Sequence, residues 1–293
     1  LLRKTEEATM LPEFDLLMPQ TLPEALDMLD STLGIVPIAG GTNVIVELRE
    51  GRHRNGTLMD VSRLTELRGV RRENGYVVLG GGATIAALLA DPLIAAHGAP
   101  LRQAATTLGS PLVRNRATVA GNLVDASPAA DTAPPLLALG AEVELASQAG
   151  TRRVPLHEFF LGPNQTVRRP DELLVAVRWP VPPANSAGAF RKLGLRNALA
   201  CSIITVAVAV ERGETGGCEN VRIALGSVAP TPIRAVAAED ALRGQPLTVE
   251  SIAEAARLAA EATRPIDDIR GTAAYRKRMA AVLVRRLLEG VQR

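Results

Sequence analysis

Short unbroken runs of β-branched residues alternate along this chain with stretches of helical spacing, and glycine marks the changes between them. Pro23–Leu29 reads as a short helix, with Thr21 as its cap and Pro23 in its first turn. Ile35–Ile38 is an apolar run of strand length that gives way at once to Ala39-Gly40-Gly41-Thr42-Asn43 and then to apolar Val44–Val46. Thr57–Val61 predicts another strand, with Ser62 capping a helix over Arg63–Leu67. This alternation over residues 11–67 predicts a small α/β subdomain.

A second α/β piece is expected over residues 68–183. Tyr76–Leu79 predicts a strand running into Gly80-Gly81-Gly82, Thr84 caps Ile85–Ala90, and Asp91-Pro92 ends that helix. Leu101–Leu108 reads as helix, and strands are expected at Val143–Leu145 and Leu173–Trp179. Pro180–Gly188 has the composition of a linker, which sets a boundary between residues 11–183 and 187–290. Beyond it, Ile203–Val210 and Val221–Leu225 predict paired strands around the Gly213–Gly217 turn. Helices follow over Val249–Thr263 and Tyr275–Leu288, the second with arginines on its polar face. The fold class is α+β.

Two turns share one chemistry: Ala39–Asn43, and Ala117-Thr118-Val119-Ala120-Gly121-Asn122. Glycine admits φ > 0 and removes the side chain that would hold a ligand away. Successive N–H groups in such a turn make a concave anion site, to which Thr and Asn add donors. Each turn alone reads more readily as a simple chain reversal. Two together suit the two phosphates of a dinucleotide.

The residues after the second turn, Asn122-Leu123-Val124-Asp125-Ala126-Ser127-Pro128-Ala129-Ala130-Asp131-Thr132-Ala133-Pro134-Pro135, resemble the flavin-binding subunits of xanthine dehydrogenase and carbon monoxide dehydrogenase-type molybdenum hydroxylases. Lys192–Ala200 and Arg264–Thr272 through Tyr275-Arg276 resemble later family segments in the same order, so the resemblance runs from about Leu11 to Leu288. It implies a two-part FAD-binding domain of the vanillyl-alcohol-oxidase/PCMH type and a C-terminal domain of the CO dehydrogenase flavoprotein type. It also implies non-covalent FAD, with molybdopterin and two [2Fe–2S] clusters carried only by partner chains in a heterotrimer or a dimer of heterotrimers. The chain would pass electrons from the near cluster to an external acceptor. A free-standing FAD-dependent oxidoreductase is the alternative, and a nucleotide-binding regulatory module without redox function is a third reading. The same resemblance places the native start near Met10.

Residue roles follow from the resemblance. Ile38, Ala39, Gly40, Gly41, Thr42 and Asn43, with Thr118, Val119, Ala120, Gly121 and Asn122, would line the pyrophosphate and ribose. Gly109 would lie near the cofactor, or else end a helix. Asp131 would accept hydrogen bonds from cofactor hydroxyls, or else cap the helix beginning at Thr132. The backbone at Leu173 would meet the flavin ring, and Lys192 would place positive charge beside it, the alternative being a solvated lysine. Arg276, Lys277, Arg278, Arg285 and Arg286 form either a docking surface or a solvated face.

Composition narrows these readings. The 293 residues are 47% hydrophobic and 22% charged, ordinary for a folded protein, with a formal charge of +2 that gives no case for nucleic acid. Four Phe, two Tyr and one Trp leave few partners for stacking a ring. The two cysteines, Cys201 and Cys218, are too few for an iron–sulfur cluster; Cys201 reads as a core residue and Cys218 as part of a glycine-rich turn. The isolated cysteines point to a reducing, cytoplasmic compartment. His53, His97 and His157 stand apart from Cys and carboxylate clusters, so no metal site is expected, and no apolar stretch reaches membrane-spanning length. No His or Cys falls in either turn, which is why the flavin is expected to be non-covalent. Asn122–Asp131 also lacks the cysteine-rich insertion of the benzoyl-CoA reductase branch.

Overall fold

The computed structural model describes residues 11–51 and 56–292, so His53 lies outside the described residues. The first unit is a parallel sheet of β1 (Asp15–Leu17), β2 (Val36–Ile38) and β3 (Thr57–Asp60), in the order β1-β3-β2. Helix α1 (Leu22–Ser31) starts at Thr21, whose side chain accepts the Glu24 N–H, and buries Ala25, Leu26 and Leu29 against Met59, Leu64 and Leu67. Val44–Val46 opens a helix, α2 (Val44–Arg49), directly after the glycine turn. Ser62 does not cap: its N–H donates to Asp60 Oδ1 at 2.8 Å in a local side-chain turn, and only a 3₁₀ turn forms, at Thr65–Leu67.

The second unit is built differently from the first. After β4 (Val70–Glu73) and β5 (Tyr76–Gly80) come six short helices: α3 (Ile85–Ala90), α4 (Pro92–His97), α5 (Ala99–Thr107), α6 (Pro111–Arg114), α7 (Val119–Val124) and α8 (Ala133–Ala138). Then follow β6 (Glu142–Ser147), β7 (Gly150–Pro155), α9 (Leu156–Phe159), β8 (Phe160–Gly162), β9 (Gln165–Thr166) and β10 (Leu173–Pro180). The main sheet, β4-β5-β10-β6-β7, is antiparallel throughout, which corrects the expectation of a second α/β piece. The helices lie between two strands that pair with each other, β5 and β10, and not in crossovers between parallel strands. Trp179, fully buried, donates its Nε1–H to the His97 carbonyl at 2.9 Å and ties β10 to the end of α4.

The third unit is an antiparallel sheet of β11 (Ser186–Gly194), β12 (Ser202–Arg212), β13 (Cys218–Gly226) and β14 (Ile233–Arg234), covered by α10 (Val236–Leu242), α11 (Val249–Glu261) and α12 (Ala273–Gln292). Because β11 begins at Ser186, only residues 181–185 connect it to β10. Side chains alternate across a strand. Ile204, Val206, Val208 and Val210 accordingly join the core under α10–α12, while Ala207 joins the core of the second unit. The inner face carries small residues for a steric reason. A Cβ on Gly188 would lie 2.7 Å from Pro100 Cγ of α5, and one on Gly226 would lie 2.9 Å from Pro134 Cγ of α8.

Two expectations for this unit are corrected. Arg276 is not on the polar face of α12: it is 2% exposed, donates Nη1–H to the Ser227 carbonyl at 2.9 Å, and pairs with Asp268 at 2.5 Å. Asp268 is also held by Arg270, whose hydrogen bonds are the first cause of a carboxyl kept well below its usual range. Lys277, Arg278, Arg285 and Arg286 are exposed. The cysteines exchange roles: Cys201 is exposed and Cys218, at the start of β13, is buried, both as free thiols.

Candidate cofactor-binding site

The two glycine turns touch each other. A Cβ on Gly40 would lie 2.0 Å from the Arg116 carbonyl oxygen, so Gly40 permits the backbone of one turn to rest on the backbone leading into the other. Gly41 is needed for a different reason, a φ of +69° that L side chains resist. This leaves the N–H groups of Gly41, Thr42, Asn43 and Val44 with no protein acceptor among the described residues, while the Gly41 carbonyl takes the Ile45 N–H at 3.2 Å.

The second turn is not an equivalent cradle. Val119 N–H donates to Ala83 O at 3.2 Å, Ala120 N–H to Gly81 O at 3.1 Å, and Gly121 N–H to Thr118 Oγ1 at 3.1 Å as the cap of α7. Val119 itself is a core residue with no exposed surface. Gly121 sits within α7, outside the positive-φ region, and only Thr118 Oγ1, at 3.0 Å, lies near the place its Cβ would take. The Asn122 carboxamide oxygen accepts from Thr132 N at 3.2 Å and Thr132 Oγ1 at 2.6 Å, fixing the turn against the start of α8.

Between these turns lies a cavity of about 550 Å³, within the ~300–1,000 Å³ common for small-molecule sites. Ala39–Asn43 line one side, and Thr118, Ala120, Gly121 and Asn122 line another. Leu173 and Leu174, at the entry to β10, close a third. Ile38 lies beneath the first turn, its Cδ1 3.2 Å from where a Gly41 Cβ would stand, and does not face the cavity. Apolar wall comes from Val36, Val61, Leu67, Leu108 and Val113, with no aromatic side chain among the described lining.

Besides Ile38 and Val119, three expected site residues lie away from this wall. Gly109, with φ +53°, follows Leu108, the residue that caps α5, and takes the left-handed conformation of a helix end. Asp131 neither faces the cavity nor caps α8. Its Oδ2 accepts from Lys192 Nζ at 2.5 Å and its Oδ1 from Ser202 Oγ at 2.6 Å. Lys192 therefore is not solvated: it also donates to Thr107 O at 3.4 Å, and the two charged side chains are 8% and 9% exposed. Burial pushes the Asp131 carboxyl upward, against the opposing pull of Lys192 and Ser202. One carboxylate thus holds both ends of the 193–201 segment from the neighbouring unit.

Other lining groups lie outside the two turns. Gly81 and Gly82 sit where three segments cross. Gly81 N–H donates to Val175 O at 2.8 Å, Gly82 N–H donates to Leu67 O at 2.8 Å, and a Cβ on Gly81 would lie 2.4 Å from Leu174 O. Asn164, with φ +57°, donates Nδ2–H to Asp125 O at 2.8 Å. Arg168, in the turn before β10, is part of the wall. A single arginine after Val167 has no spacing or motif by which it could have been found.

An antiparallel sheet with a helical insert, a parallel βαβ-like unit beside it and a glycine-lined cavity between them define a two-part flavin-binding fold. Residues 12–182 match the FAD binding domain in molybdopterin dehydrogenase, and residues 189–291 match the CO dehydrogenase flavoprotein C-terminal domain. The chain belongs to this family of molybdenum hydroxylase flavoprotein subunits. It is 32% identical over 270 residues to a putative xanthine dehydrogenase FAD-binding subunit of Escherichia coli, covering 92% of each chain. It is 33% identical over 284 residues to the carbon monoxide dehydrogenase medium chain of Afipia carboxidovorans, covering 96% of this chain and 97% of that one. A solved carbon monoxide dehydrogenase from Hydrogenophaga pseudoflava superposes with a TM-score of 0.92 at 32% identity, covering 96% of this chain and 98% of that one.

Proposed function

We propose that this chain binds FAD non-covalently in the cavity and relays electrons within a molybdenum hydroxylase. In that assembly, partner chains hold the [2Fe–2S] clusters and the molybdopterin. The observation that carries the reading is the pairing of four unengaged N–H groups at Gly41–Val44 with Gly121, whose Cβ position meets only the Thr118 hydroxyl, across the same cavity. An anion entering a partly dry cleft needs donors that bring no counter-charge, and backbone N–H groups supply them. The residues present therefore fit a dinucleotide.

FAD, when bound, supplies acceptance of electrons singly and their release in pairs. The protein's part is placement and shielding. The turn over Gly41–Asn43 orients the pyrophosphate, Gly121 leaves room for it, and Leu108, Val113, Leu173 and Leu174 exclude water, which strengthens every hydrogen bond made inside. The ionisable residues of the described wall are Glu47, Asp125 and Arg168, with no His, Cys, Lys or Tyr, and in this reading the wall positions a cofactor. Substrate oxidation belongs to the molybdenum-bearing partner. Asp131 and Lys192 support the site from behind, through the 193–201 segment. Among the described residues no helix is long and apolar enough to cross a membrane. An exposed free thiol at Cys201 suits a reducing compartment, which we take to be the cytoplasm. Acid precipitation of the purified protein should release FAD into the supernatant. Released FMN, or flavin that stays in the pellet, would contradict the assignment.

A further inference from the structure

Many of the buried and half-buried arginines have a carboxylate partner; Arg114, Arg212 and Arg168 bond only to backbone carbonyls, and of these three only Arg168 lines the cavity. Arg152 grips Glu172 at 2.6 and 2.9 Å, Arg178 meets Glu144 at 3.3 Å, Arg234 pairs with Glu239, and Arg270 and Arg276 share Asp268. Arg168 has none. Its hydrogen bonds leave from Nη1 alone, to the carbonyls of Arg169 at 2.9 Å, Pro170 at 3.5 Å and Glu172 at 2.7 Å. Nε and Nη2 have no protein acceptor among the described residues, and Arg168 lines the cavity. Of the two carboxylates nearest in sequence, Asp171 acts on Arg168 only through space, and Glu172 is spent on Arg152 and on the Arg169 N–H at 2.7 Å. Among the described lining residues Arg168 is the sole cation.

We propose that the free side of the Arg168 guanidinium is a cofactor-binding group, meeting negative charge on the bound dinucleotide. The inference rests on the FAD reading above and adds a residue to it. A partly buried cation without a carboxylate is costly unless a ligand supplies the anion, and burial already works against its charge, offset only in part by Glu172 and Asp171. Nη1 staples the turn, while the planar fork leaves two donors for a phosphate or for the ring that gains charge on reduction. The two sources make separable demands: phosphate contact strengthens binding of both FAD and ADP, and ring contact raises the reduction potential.

The test uses the assembled complex, deflavinated and reconstituted, as wild type, Arg168→Met and Arg168→Lys. FAD affinity, ADP affinity and the flavin midpoint potential are measured, with thermal melting of each apoprotein. At least tenfold weaker binding of both FAD and ADP by Arg168→Met places the contact on the pyrophosphate. Unchanged ADP binding with a potential lowered by about 30 mV, a tenfold shift for a two-electron couple, places it on the ring. Arg168→Lys should recover part of either effect by restoring charge. If Arg168→Met matches wild type in both affinities and in potential, the proposal is overturned. It is also overturned if both variants lose flavin together with melting temperature, because Arg168 is then a staple only. A wild-type chain that takes up no FAD would instead remove the underlying functional reading.

Discussion

The residues that resemble the family's cofactor segments divide into two regions built on opposite principles. Around the cavity, space is made by missing side chains: Gly40 lets backbone rest on backbone, Gly41 takes a left-handed turn, and Gly121 presents a Cβ position that meets only the Thr118 hydroxyl. At the junction with the C-terminal sheet, Asp131 and Lys192 bury a charge pair at 2.5 Å, with Ser202 completing the carboxylate. A likeness in sequence therefore marks two kinds of position: those that leave space for a ligand, and those that hold the walls. The second kind works at a distance through the 193–201 segment, and its loss should be read in stability before it is read in cofactor binding.

The largest effect is expected at the charged junction. Removing one member of a buried pair strands the other, at a cost of about 3–5 kcal/mol. Asp131→Asn and Lys192→Met should each lower stability by that order in denaturant unfolding, whereas the double variant Asp131→Leu/Lys192→Met should recover most of it. Equal losses in single and double variants would show that the pair is not the working unit. Next comes Gly40→Ala, whose Cβ would meet the Arg116 carbonyl oxygen at 2.0 Å. Backbone stands on both sides of that contact, so at least about 1–3 kcal/mol is expected, together with loss of flavin.

Gly41→Ala should cost about 1–2 kcal/mol for the left-handed backbone, plus a small repacking of Ile38 and Ile45, each 3.2 Å from the new methyl. The smallest effect on stability belongs to Gly121. There, Ala should change unfolding by less than about 1 kcal/mol, because helix propensity favours it while the Thr118 hydroxyl stands at 3.0 Å. Gly121→Val should keep the fold and lose the flavin. A Gly121→Val protein that retains wild-type FAD content would erase the distinction between the two glycine turns.

What was legible in the sequence is what is local. Thr21 and Thr84 cap the helices that follow them, and the Gly41 turn leaves its strand as glycine permits. The illegible part depends on partners far along the chain. Asp131 meets Lys192 and Ser202 from positions 61 and 71 residues away, so nothing near it announces a junction in place of a cofactor contact. Arg276 looks like its basic neighbours on α12 until Asp268 and the Ser227 carbonyl are brought to it. The antiparallel second sheet was hidden for the same reason, since β5 waits for β10 across seven helices and four strands. At the second turn, Val119 and Ala120 have suitable residue types, but Ala83 and Gly81 already use their N–H groups.

The central claim is that electrons enter this chain's flavin from a cluster on another polypeptide. The direct measurement mixes this chain, loaded with oxidised FAD, with its separately purified cluster-bearing partner, pre-reduced and freed of reductant, under anaerobic conditions. Bleaching of the flavin absorbance in step with reoxidation of the clusters is the expected result, absent when Gly121→Val replaces the wild-type chain. Clusters that stay reduced beside an oxidised flavin would contradict the relay.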